Sequence, residues 1–209
     1  MLLALGALLC ATAQAAAPTR AMPVRITVQA DQPGPTIDPN IYGQFVEHLG
    51  RGVYEGIWVG PDSPIPNVRG IRSDVVAALR RINVPLVRWP GGCFAELYHW
   101  RDGIGPHRKR PLGVNAAWGD EAETNAFGTH EFMDFATQID ADVFLAINVA
   151  SGTPGEAQAW LQYLTGPATS GPGAERARNG HPEPYKIPLI GIGNENWGCG
   201  GNMTADYYA

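Results

Sequence analysis

Four short apolar runs, each parted from the next by a helix-like stretch, constrain this chain more than any other feature. Residues 41–46, 84–89, 143–149 and 187–193 read as strands. Residues 74–82, 129–139 and 154–164 read as the helices between them. The first helix has Ser73 as its expected N-cap and presents Val75, Val76, Leu79 and Ile82 on one face. Strand–helix alternation of this kind implies parallel strands joined by crossover helices. Residues with usable chemistry fall just after the strand ends, as in a (β/α)8 barrel. A doubly wound sheet would place sites there too, but no glycine-rich phosphate loop links a strand to a helix. A complete barrel takes about 250 residues and eight strands. With 209 residues and about four strands, the expected fold is the first half of a TIM barrel.

Composition narrows the function. The chain is 44% hydrophobic and 17% charged, with a formal net charge of −5, and it carries no basic block to suit nucleic acid or an anionic membrane. Gly 26 and Pro 18 point to a loop-rich domain rather than a helical bundle. Residues 2–9 are apolar, and Ala13-Gln14-Ala15 and Ala15-Ala16-Ala17 both fit a small-x-small cleavage site. Residues 1–17 therefore read as a signal peptide, although Lys and Arg are missing from its start, and the expected location is secreted or periplasmic. Leu9 before Cys10 argues against a lipid anchor. Cys93 and Cys199 then remain, too few for a disulfide scaffold; both lie in glycine-rich turns, and bonded or free remain open.

Residues 24–29 alternate apolar and polar side chains like a half-buried strand, and the 31–35 cluster breaks it, so residues 24–35 read as a strand and linker before a barrel at 38–209. Residues 61–69 and 94–127 read as long loops; the second carries Tyr98, Trp100 and Trp118, which favours a functional role. Residues 166–185 read as a flexible Gly/Pro/Ser segment, and Thr204-Ala205-Asp206 as the start of another helix.

Glu195 is the leading candidate for chemistry. It ends an apolar strand beside Trp197, and desolvation among aromatics lets such a carboxyl keep its proton. Glycoside hydrolysis needs that acid and a second carboxylate. Asn194 suits a sugar hydroxyl. Glu47 suits sugar hydroxyls or an ion pair with Arg51 or Arg88. Trp89, Trp100, Trp118 and Trp197 suit stacking on sugar or plain packing. His130-Glu131 lacks the second histidine of a zincin, His48, His99, His107 and His181 have no ligand spacing, and there is no Gly-x-Ser-x-Gly elbow, so no metal or cofactor is expected.

The motifs are specific. Residues 42–51 (YGQFVEHLGR), 88–94 (RWPGGCF), 98–106 (YHWRDGIGP), 125–132 (NAFGTHEF) and 193–203 together resemble glycoside hydrolase family 51, the α-L-arabinofuranosidases. The resemblance implies a (β/α)8 barrel with a C-terminal β-sandwich, to which residues 24–29 would add a strand, and a retaining two-carboxylate mechanism. It implies Glu195 as acid/base, Asn194 and Glu47 as ligands of the arabinofuranose hydroxyls, Cys93 at a substrate-contact position and Trp118 as a wall of the leaving-group subsite. The nucleophile it implies is a Glu after a seventh strand, which this chain does not reach, so the chain alone is expected to be inactive, with two strand edges unpaired. The implied partners are arabinan, arabinoxylan or arabino-oligosaccharides, with self-association of the full-length enzyme open. The rival readings are a non-catalytic carbohydrate-binding fragment and a relative acting on another glycan, such as an endo-β-glucanase.

Overall fold

A four-stranded parallel sheet frames the computed structural model, which describes residues 23–209. The expected signal peptide lies outside the described residues. In chain order the elements are β1 (Gln44–Phe45), β2 (Asn67–Val68), β3 (Ile71–Arg72), α1 (Ser73–Arg81), β4 (Leu86–Trp89), β5 (Gly113–Asn115), β6 (Glu121–Glu123), α2 (Thr129–Ile139), β7 (Asp142–Ile147), α3 (Pro154–Thr165), α4 (Gly171–Arg178), β8 (Leu189–Ile192) and α5 (Ala205–Tyr208). The main sheet runs β1-β4-β7-β8, with every neighbouring pair parallel. The hairpins β2–β3 and β5–β6 are antiparallel and belong to the connections. The expected strand–helix alternation and half-barrel architecture are both present.

Side chains alternate across this sheet because successive residues of a strand face opposite ways. Val87, Trp89, Val143, Leu145 and Ile147 are buried with Phe132, Phe135, Ala136 and Ile139 of α2 and Trp160 and Leu164 of α3. The Trp89 ring stacks on Phe132 with centroids 5.0 Å apart. On the other face, Phe45, Arg88, Phe144 and Leu189 share one register row. Phe45 and Leu189 are exposed, and the Arg88 guanidinium lies over the Phe45 and Phe144 rings at 5.1 and 5.7 Å.

Several expectations need correction. The chain divides into two units at Thr36/Ile37; in the described part of the first, residues 23–36, no strand forms, and Val24, Ile26 and Val28 are more than 80% exposed. Alternation alone does not make a strand, since its N–H and C=O groups need a pairing partner. Pro39–Tyr42 is a 3-10 helix begun by the Asp38 carboxylate on Asn40 N, which shortens the first strand to Gln44–Phe45. Ser73 is the first helical residue rather than the cap of α1; Arg72 holds that position without a side-chain bond, and Ile82 is exposed. The presumed loop 61–69 contributes β2, and 94–127 contains the β5–β6 hairpin and short 3-10 turns.

The largest revision concerns residues 166–185, expected to be flexible. They hold the helix α4. Arg176 explains it. The residue is fully buried, and its guanidinium donates to the carbonyls of Tyr163 and Leu164 at 2.6 and 3.1 Å, His181 at 3.0 Å and Pro182 at 2.9 Å. Carbonyls near the end of α3 lack further turns to satisfy them, and the arginine fork takes their place.

Glu131 plays a matching part at the start of α2. It accepts from Gly128 N at 2.9 Å, from Arg110 at 2.9 and 3.1 Å, and lies 2.7 Å from His107 Nε2. Burial works to raise its carboxyl, but the bonds from His107 and Arg110 outweigh it and hold the group at about 2, down from 4.5.

Two outcomes are expected. Arg176→Met, which keeps length but removes every donor, should cost about 3 kcal/mol, read as a lower urea midpoint. The Glu131 contribution is complete above about pH 4.5 and is lost as pH falls toward about 2. Glu131→Gln should therefore be less stable at neutral pH, and its stability should change less over that acid window, as followed by thermal melts at stepped pH.

Candidate active site at the strand ends

Parallel strands bring their C-terminal ends to one edge, and the chain turns at that edge carry the candidate residues. Glu47 lies two positions past β1. Pro90, Gly91, Gly92 and Cys93 follow β4. Asn148 to Ala150 follow β7, and Asn194 and Glu195 follow β8. Gly91 has φ +133°, and a Cβ there would strike the Glu47 side chain; one on Gly92 would lie 3.1 Å from the Glu47 carboxylate and 3.5 Å from Asn194 Nδ2. The glycine pair is thus the floor on which Glu47 rests.

Each neighbour fixes the next. Trp118, in the turn between β5 and β6, donates its indole N–H to Glu47 Oε1 at 3.0 Å. Arg88 Nη2 donates to Asn194 Oδ1 at 2.7 Å. Burial lowers the proton affinity of Arg88, and the charges of Glu47, Glu195 and Glu96 oppose that shift. Arg88 therefore stands among three carboxylates without a salt bridge among the described residues. Arg51 pairs with Glu55 instead, so neither expected cation bonds Glu47.

Cys93 and Cys199 are bonded to each other, with Cα atoms 5.5 Å apart across 106 residues of sequence. The disulfide joins the turn after β4 to the turn after β8. Asn194 Nδ2 donates to Cys199 Sγ at 3.7 Å, whereas the 3.8 Å approach of Cys199 Sγ to Glu195 Oε2 is a contact only, because the disulfide sulfur has no hydrogen. Cys93, Glu195 and Cys199 have ligand atoms within 4.8 Å of one another. With both sulfurs spent on the bond, no thiolate pair is available to a metal there.

Glu195 itself is exposed, in a left-handed conformation at φ +44°, and Trp197 is 74% exposed. The expected desolvation by aromatics is therefore missing among the described residues, because both side chains project from the turn. A non-glycine residue in this region stores about 1–2 kcal/mol of strain and draws attention to function. Trp89 and Trp100 are core residues, not sugar platforms.

Two carboxylates that sequence reading passed over support the edge. Glu123, on β6, is 3.0 Å from His48 Nδ1, bonds the Tyr54 hydroxyl and accepts from Asn125 N at 2.7 Å. Burial works to raise its carboxyl, yet the His48 and Tyr54 contacts leave it below its ordinary value. His48 Nε2 in turn accepts from Trp89 Nε1 at 3.1 Å, which assigns the proton to Nδ1. Glu96, fully buried, receives backbone N–H groups from the β7 and β8 ends. For Glu96 the available signal was a lone acid in an otherwise apolar run, whereas Glu123 is one of three acids between Asp120 and Glu123 and nothing local marks it.

The family model of the Alpha-L-arabinofuranosidase 1 domain matches residues 78–208. The chain belongs to the α-L-arabinofuranosidases of glycoside hydrolase family 51. An intracellular exo-α-L-arabinofuranosidase of Bacteroides ovatus is 49% identical over 184 residues, 88% of this chain and 36% of the relative. A probable α-L-arabinofuranosidase C of Aspergillus fumigatus is 41% identical over 186 residues, with the same shares of 88% and 36%. The crystal structure of the GH51 arabinofuranosidase from Xanthomonas axonopodis pv. citri superposes with a TM-score of 0.83 at 53% identity, over 85% of this chain and 36% of that one. The Thermotoga maritima enzyme in its arabinose complex gives 0.75 at 47%, over 79% and 34%. The chain thus spans about a third of the length of the curated relatives it matches.

Changing Cys93 and Cys199 together to Ser should cost about 3–5 kcal/mol, since the bond closes a loop of roughly a hundred residues. The check is a thermal melt with and without reductant: reductant should lower the midpoint of the parent protein and leave the double variant unmoved.

Proposed function

We propose that this chain is the acid/base-bearing part of a retaining α-L-arabinofuranosidase that releases terminal L-arabinofuranose from arabinan, arabinoxylan or arabino-oligosaccharides. The observation that supports this most is the meeting of Glu195, Asn194 and Glu47 at one sheet edge, in a chain of this family. Glu195 protonates the departing glycosidic oxygen and then takes a proton from the water that frees the sugar. Its exposed place on the rim suits an acid that approaches the scissile oxygen from the side. Arg88 occupies Asn194 Oδ1 and one amide hydrogen faces the Cys199 sulfur, which leaves the other N–H for a sugar hydroxyl. Glu47, steadied by Trp118, accepts from the sugar hydroxyls, and the Trp118 ring walls the leaving-group side. Cys93 meets the sugar as part of a disulfide surface, not as a thiol. The attacking carboxylate comes, in this reading, from the additional length of the relatives, about 5–5.5 Å from Glu195 in the assembled site.

In a full-length enzyme carrying this chain, proton NMR should detect arabinose first in the anomeric configuration of the substrate. Glu195→Gln should lower kcat/KM on an arabino-oligosaccharide by about a hundred- to ten-thousand-fold. Inversion of configuration would sink the retaining assignment. The 209-residue chain alone should turn over no aryl arabinofuranoside; turnover abolished by Glu195→Gln would show that the second carboxylate lies within it.

Export is the second half of the proposal. It rests on the apolar leader and its small-residue cleavage sites. Among the described residues no helix is long and apolar enough to cross a membrane. The Bacteroides ovatus relative is named intracellular, so the leader is what would set this protein apart. N-terminal sequencing of the protein from its native host should start near residue 18; a start at Met1 would overturn the cleaved leader.

A further inference from the structure

We propose that Glu96 is the positioning residue of this site: its buried carboxylate sets where the Asn194–Glu195 turn stands, and so the direction in which Glu195 delivers its proton. This rests on the reading of Glu195 as acid/base.

Glu96 ends the 3-10 turn Cys93–Glu96 and is fully buried. Its Oε2 accepts the N–H groups of Val149 and Ala150, both at 2.8 Å, at the end of β7. Its Oε1 accepts Asn194 N, just past β8, and Asn196 Nδ2 at 3.3 Å. Its own carbonyl accepts from Ser151 Oγ at 2.8 Å. One carboxylate, fixed at the end of β4, thereby ties down the ends of β7 and β8. It makes no salt bridge among the described residues, and Arg88 is turned to Asn194. Parallel strands end with N–H groups that no ladder satisfies, and an acceptor-only side chain answers three of them at once, with a side-chain amide as its fourth donor.

Glu195 stands between two of the gripped residues, Asn194 and Asn196. Left alone, a glutamate leaves the left-handed region, which is unfavourable for any side chain with a Cβ. The turn keeps it there because the residues on both sides are anchored to Glu96, while Gly198 N and Gly200 N bond the Glu195 carbonyl at 2.7 and 3.1 Å. A glutamine at position 96 keeps the shape but turns one oxygen into an NH2 group. Donors would then face donors on one side of the amide, and the grip on one strand end would be lost.

The test compares three variants of the full-length enzyme by kcat/KM on two arabinofuranosides. A dinitrophenyl glycoside has a leaving group that departs without protonation; a methyl glycoside needs the acid. Glu195→Ala should slow the methyl glycoside selectively. Glu96→Gln should follow the same pattern, with a loss on the methyl glycoside at least about tenfold greater than on the dinitrophenyl glycoside. Asn196→Ala removes one donor, leaves three backbone donors on Glu96, and should show the pattern more weakly; it keeps the comparison alive where Glu96→Gln fails to fold. Equal losses on both substrates in the Glu96 and Asn196 variants, or no loss, would overturn the positioning role. If Glu195→Ala itself treats both substrates alike, the acid/base reading fails instead.

Discussion

Trp89 is the side chain on which the rest depends. It ends β4, is fully buried, and stacks on Phe132 while Tyr98, Phe127 and Trp160 meet it edge to face. Aromatic geometry of this kind adds directional preference to the burial of a large surface. The same indole sends its only polar atom the other way, to His48. One residue therefore seats two helices on the sheet and begins the polar chain His48–Glu123–Tyr54. The strand end immediately after it, Pro90 to Cys93, inherits that rigidity.

Outward from Trp89, the sheet edge is organised by acids. Glu123 ties the β5–β6 hairpin to the segment after β1, with Asn115 Nδ2 adding a bond to the His48 carbonyl at 2.5 Å. That hairpin carries Trp118, which reaches Glu47. Glu96 ties β7 and β8 to β4, and the disulfide repeats the β4–β8 link closer to solvent. The candidate residues thus occupy turns, yet each turn is bonded to a neighbour, which answers the looseness of sites built on loops.

Periodicity made the frame legible. α2 and α3 have long amphipathic patterns, and Pro154 at the head of α3, with Thr153 Oγ1 accepting from Glu156 N at 3.1 Å, signals its start unmistakably. β4, β7 and β8 are short apolar runs, trimmed in the structure to the residues that actually find partners. What escaped the sequence was long-range polar pairing. His48 and Glu123 are 75 residues apart, and Glu96 and Asn194 98 apart. No local pattern encodes such a meeting. The strand expected at residues 24–29 fails for the converse reason, as a local pattern without a partner. At the candidate site, the motifs singled out Glu195, Asn194, Glu47 and Trp118 as candidates, but neither the Trp118–Glu47 and Arg88–Asn194 bonds nor the exposure of Glu195 followed from them.

Arg176 changes how the glycine-rich stretch between α3 and β8 should be regarded. Gly, Pro and Ser there would ordinarily mark an unstructured tether. Instead, four main-chain oxygens converge on one guanidinium, and main-chain oxygens are present whatever the side chains are. The fold of this segment is therefore written mostly in its backbone and in a single residue. Loss of the arginine therefore strips this segment of contacts that no other single side chain in it could replace, and a low-complexity appearance can conceal a segment as firmly determined as the barrel strands beside it.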